Sequence, residues 1–71
     1  MTTKAQILKT LETIPDDEPL FLVRGQDRLA PGLVRYWAGA ATARGCKPST
    51  AQAAHDCAAA MERWTPRKFP E

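Results

Sequence analysis

The bulky apolar side chains of this chain do not outnumber its alanines. Twelve alanines stand beside twelve Leu, Ile, Val and Phe, so a core built from this sequence is thin and depends on close backbone approach. The 71 residues leave room for one small domain, expected over residues 1–64, with 65–71 as an extended or mobile tail because two prolines and no periodicity fall there. A chain of this size buries only about 60% of its unfolded surface, and a single core below about 80 residues rarely supplies more than about 3–5 kcal/mol. Such cores are usually supplemented by disulfides, a metal or a partner subunit.

The first two supplements are not expected. Cys46 and Cys57 are too few for a disulfide framework, and neither sits at a metal-binding spacing. His55 and Cys57 are two residues apart, which a helix sends to different faces, so Cys46, His55 and Cys57 make a poor ligand set. For the same reason Cys57, His55 and Asp56 cannot act as nucleophile, base and orienting acid. No glycine-rich phosphate loop is present. The expectation is a non-enzymatic protein with no catalytic residues, no metal and no cofactor. Reduced cysteines suit a cytoplasm. No apolar run approaches the roughly 20 residues of a membrane span, and the opening MTTKAQILKT lacks the long apolar stretch of a secretory leader.

Along the chain, Ile7, Leu8, Leu11 and Ile14 recur at helical spacing over residues 3–14, and Pro15 stops that helix. Residues 15–19, with two prolines and three acids, form a turn. The run Leu20-Phe21-Leu22-Val23-Arg24, held between Pro19 and Gly25, reads as a strand with both faces apolar. Asp27 is placed to cap a short turn, after which a helix opens at Pro31 and runs to Arg44, with Gly45 as its stop. Its expected inner stripe is Leu33, Val34, Trp37, Ala40 and Ala41. Gly39 inside it implies either a tolerated cost or a close backbone neighbour. Ser49 and Gln52 stand at capping-box spacing and open a last helix to about Trp64. Its inner rows, Ala51, Ala54, Ala58 and Met61 beside Ala53, Cys57, Ala60 and Trp64, suit an αα-hairpin.

The expected fold is thus α+β, mostly helical, in the order αβαα. Its difficulty is the single strand, whose backbone groups need a partner. Antiparallel pairing of Leu20, Phe21, Leu22, Val23 and Arg24 across a two-fold axis would supply one and enlarge the thin core, giving a homodimer. Within one chain the alternative partners are residues 2–4 or the tail.

Charge is segregated, although the net value is only +2. Arg24, Arg28, Arg35, Arg44 and Lys47 follow an acidic knot of Asp16, Asp17 and Glu18. Arg24, Arg28, Arg35 and Tyr36 are the candidate partner-binding residues, since arginine and tyrosine are enriched where interfaces are strongest. The bland alternative is a solvated face with salt bridges to Asp27 and Glu62. The strand–helix–helix order also resembles ribbon-helix-helix repressors, whose paired strands enter the major groove. The strand departs from that pattern, because only Arg24 offers a polar group to a base edge. A small dimeric DNA-binding regulator is therefore the second expectation, behind protein binding.

The stretches DEPLFLVRGQDRLAP at 17–31, LVRYWA at 33–38 and AHDCAAAMERW at 54–64 resemble a group of short proteins encoded in bacteriophages and prophages of proteobacteria. That resemblance implies an accessory protein working in the bacterial host cytoplasm by binding a host protein, such as a defence or regulatory component, and modulating or inhibiting it. It supplies no catalytic residues.

Overall fold

The computed structural model describes residues 3–70 and contains three helices, α1 (Lys4–Glu12), α2 (Ala30–Ala43) and α3 (Pro48–Arg63). Among the described residues there is no strand and no sheet. The αβαα expectation is corrected to a mostly helical, three-helix protein, and the two-fold strand pairing built on Leu20, Phe21, Leu22, Val23 and Arg24 falls with it. Those five residues have no regular secondary structure. An apolar run between a proline and a glycine has the composition of a buried strand, but an isolated extended segment gains no ladder bonds and stays open.

The chain does pair with its own tail, slightly downstream of that run. The Arg28 N–H donates to the Lys68 carbonyl and the Lys68 N–H donates to the Gln26 carbonyl, both at 2.8 Å. This forms one parallel bridge, Asp27 with Lys68. Pairing starts after Arg24 because a turn intervenes. The Asp27 N–H reaches back to the Arg24 carbonyl at 3.0 Å, and the Leu29 N–H donates to Asp27 Oδ1 at 2.8 Å. The tail is therefore docked at Lys68 through its backbone.

α1 starts where the Thr3 N–H donates to Gln6 Oε1 at 2.8 Å, tying an otherwise orphan donor of the first turn. It closes through Thr13 and Ile14, whose N–H groups reach the Thr10 and Leu11 carbonyls before Pro15. α2 has Pro31 in its first turn, where the missing N–H costs nothing. Its end is a Schellman motif. The Cys46 N–H bonds to the Ala41 carbonyl and the Gly45 N–H to the Thr42 carbonyl, both at 3.0 Å, with Gly45 at φ +86°. That left-handed residue reverses the chain into α3, so Gly45 sets the hairpin. The capping box expected at Ser49 and Gln52 is not what opens α3. Pro48 takes the first helical position after Lys47, and the Gln52 amide instead donates to Asp56 Oδ1 at 2.8 Å.

The α2–α3 hairpin is built on alanine. Ala30, Ala38 and Ala58 have no accessible surface, and Pro31 is buried beside them. Small side chains at the crossing let two helix backbones come close, which gains dispersion contacts that a Leu or Phe there would prevent. On α3 the covered row is Ala51, Ala54, Ala58 and Met61, as periodicity predicts, whereas of the adjoining row Cys57 and Ala60 are half-buried and Ala53 and Trp64 are exposed. On α2 the covered row is Ala30, Val34, Ala38 and Ala41. Leu33 and Trp37, expected inside, are about half exposed, and Ala40, also expected inside, is exposed, because burial of Ala30 and Ala38 turns α2 so that its larger residues flank the contact. Nothing approaches Gly39 within 4 Å of where a Cβ would stand, so its place in the helix reflects tolerance of a flexible residue and no close neighbour.

α1 stands apart. Among the described residues α2 and α3 are the one pair of helices that touch, and α1 meets neither. The resulting shape is open. The radius of gyration is 12.9 Å, against about 11 Å for a compact domain of this length. The accessible surface is 5960 Å², whereas a folded monomer of this mass exposes about 4,400 Å².

Candidate binding surface

The apolar segment that leads towards α2 is strongly exposed. Leu20 is 61% accessible, Phe21 87% and Leu22 76%. Pro19 removes a backbone donor at its start, and at its end Gly25 anchors the chain against α3. A Cβ added at Gly25 would lie 3.5 Å from Met61 Cγ and 3.9 Å from Trp64 Cβ, ordinary contact distances. The segment is thus held at one end and presented to solvent along its length.

Beside it lies a shallow depression of about 190 Å³ whose walls include Leu22, Arg24, Asp27 and the tail residues Lys68 and Phe69. The Arg28 guanidinium sits over the Phe69 ring, 5.6 Å from its centroid, a cation–π geometry. Arg67 fastens the tail from behind. Its guanidinium donates to the Asp27 carbonyl at 3.3 Å and to the Glu62 carbonyl at 3.5 Å. Of the sequence-derived candidates, Arg28 meets Phe69 of the tail and Arg24 lines the depression that Phe69 also lines. Phe69 itself was missed by sequence reasoning. Its one signal was an aromatic in a tail rich in Pro, Arg and Lys, where an apolar ring has no periodicity to announce it.

The other two candidates lie on α2. Tyr36 is 78% exposed. Arg35 is half exposed and forms a salt bridge with Glu62 of α3, the local pairing that the bland reading of the arginine row anticipates. The side-chain hydrogen bond from Arg35 holds the Glu62 carboxyl below the ordinary carboxylate range and raises Arg35 in turn. A lowered carboxylate contributes stability that is complete above the unfolded-state value and is lost as pH falls through the folded one. Because both groups are solvated, the effect is small and sensitive to salt. Thermal melts of wild type and Glu62→Gln should therefore differ slightly at neutral pH in low salt and converge both in acid and in high salt. A gap that persists in acid would mean that Glu62 acts through something other than its charge.

A second concavity, which sequence reasoning also missed, runs along the α2–α3 hairpin. It is an open groove of about 550 Å³ with Val34 and Trp37 on one wall and Ala53, Ala54 and Cys57 on the other. It exists because the alanine crossing moves Trp37 off the helix contact and leaves it beside a run of small residues on α3.

The remaining sequence candidates stay separate. Among the described residues no three of His, Cys, Asp and Glu gather to hold a metal ion. Cys46 and Cys57 are both free thiols, and Asp56 is engaged by Gln52. Among the described residues no helix is long and apolar enough to cross a membrane. Comparison with known proteins finds no matching family model, no matching curated protein and no matching solved structure.

Proposed function

We propose that this chain is a non-enzymatic binding protein, a small phage or prophage accessory factor that works in the bacterial host cytoplasm by attaching to a host protein and modulating or inhibiting it. The observation that carries this reading is the exposed run Leu20-Phe21-Leu22 beside Arg24, Arg28 and Phe69. Contiguous exposed apolar groups rimmed by polar ones mark interaction sites, and aromatic and arginine anchors supply most of the binding energy at such sites. The resemblance at residues 17–31 covers the same segment. Binding through an extended apolar peptide of this kind suits a partner with an apolar cleft or a free sheet edge.

The DNA-binding alternative loses its reading element, since no ribbon is present among the described residues, and it is not pursued. The test compares wild type with the double variant Phe21→Ser, Leu22→Ser as baits in a bacterial host lysate, with duplex DNA at low salt as a separate arm. One host protein retained by wild type and lost from the variant is expected, with no gel shift. Identical capture by both baits, or a salt-sensitive DNA complex, would overturn the reading.

A further inference from the structure

We propose that the α2–α3 groove receives α1 from a second copy of this chain, and that the exchange is reciprocal across a two-fold axis. This rests on a different surface from the host-binding segment.

Three observations converge. The first is the isolation of α1. It has nine residues, and helices shorter than about 12–15 residues are marginal in water unless an apolar face packs against something. Its apolar residues Ile7, Leu8 and Leu11 lie on one face, all are exposed, and neither other helix touches it. The second is the groove. It is lined by Val34, Trp37, Ala53, Ala54 and Cys57, with Ser49 and Thr50 beside them, and is mostly apolar; Trp37 is 54% accessible. An amphipathic helix with anchors one and four residues apart is the shape that such grooves accept, and seating it there completes a three-helix layer around the alanine crossing.

The third is area. The surface exceeds that expected of a monomer of this mass by about 1,600 Å², and a standard interface removes about 800 Å² from each partner. A reciprocal interface of standard size would remove about half of that excess from each chain and leave the Leu20–Leu22 segment free for another protein.

The occupant is a second copy and not the chain's own α1 because α1 meets neither α2 nor α3 of its own chain. Residues 13–29, a succession of turns with two prolines, lie between α1 and α2. Reciprocal exchange of an identical element closes on itself, buries both grooves and leaves no open site for further growth.

The test uses purified full-length protein without any host component, so its failure is distinct from failure of the host-binding reading. Sedimentation equilibrium at micromolar concentration is expected to give twice the 7.8 kDa chain mass for wild type. Leu11→Asp on α1 and Ala53→Glu in the groove should each restore the single-chain mass while circular dichroism still reports the hairpin helices. Contact is then read directly by placing Leu8→Cys or Leu11→Cys in a Cys46→Ser background, so that the one other thiol is Cys57 in the groove. Mild oxidation with diamide should yield a disulfide-linked dimer from at least one of these. A single-chain mass for wild type, a cross-link formed only within one chain, or a dimer that cross-links at neither position would each overturn the proposal.

Discussion

Ala58→Phe is expected to lower stability by about 2–3 kcal/mol and the melting midpoint by more than ~10 °C. Ala58 of α3 has no accessible surface, nor have Ala30 and Ala38 of α2, and the two helices pack on each other, so no space is left for a larger side chain. A phenyl ring cannot find a rotamer at that position without pushing the helices apart, and separating them forfeits the dispersion contacts along the whole alanine row. Because a core of this size supplies only about 3–5 kcal/mol in total, the variant is expected to be partly unfolded at 37 °C. Ala40→Phe is the control. It sits on the same helix pair but is exposed, and it should shift the midpoint by no more than a change of helix propensity does. Equal effects at 40 and 58 would mean that the hairpin is not held by close alanine packing.

Truncation after Trp64 is expected to cost about 2 kcal/mol, on the basis of about 0.5–1.5 kcal/mol for each net hydrogen bond lost. The tail contributes two short backbone hydrogen bonds to the Gln26–Arg28 segment and two donations from Arg67, to the Asp27 and Glu62 carbonyls. It also supplies the Phe69 ring beneath Arg28. Without it the turn at Asp27 loses its outer wall, so the effect extends to the point where the apolar segment joins α2. Arg67→Ala removes the side-chain half of this set and should cost about half as much by the same measure. Urea melts of the three proteins order them as wild type, Arg67→Ala, truncation. A truncation that melts with wild type would show that the docked tail contributes nothing.

The helices were legible because their signals are local. Ile7, Leu8 and Leu11 mark α1, Gly45 ends α2, and the small-residue row at 51, 54, 58 and 61 marks the inner face of α3. What escaped depends on relations between distant residues. Leu20 to Val23 has the composition of a strand covered on both sides, yet coverage belongs to whatever packs on the segment, and Leu20, Phe21 and Leu22 stay exposed while Val23 is half-buried. Trp37 falls on the most apolar stripe of α2, and a hydrophobic stripe ordinarily faces the core. Here close approach between alanines outweighs the burial of one large ring and turns the stripe to the rim. The tail pairing has no periodicity at all, since Asp27 and Lys68 meet through backbone groups that every residue carries. Of the candidate site, Arg24 and Arg28 were visible as charges, and Phe69 and the groove were not, because each is made by two segments far apart in sequence. The thin composition did foretell an unfinished surface. Among the described residues there is no strand edge to finish, and the apolar residues left exposed include Ile7, Leu8 and Leu11 of α1.

Among the described residues α1 meets neither α2 nor α3, and the proposal is that it packs on another copy. Amide hydrogen exchange of residues 5–12, followed across a series of protein concentrations, addresses it most directly, because protection that depends on association follows mass action. Protection of these amides should rise steeply with concentration while the α2–α3 amides stay constant and residues 20–24 stay open. Exchange of α1 that is independent of concentration, whether fast or slow, would contradict the account.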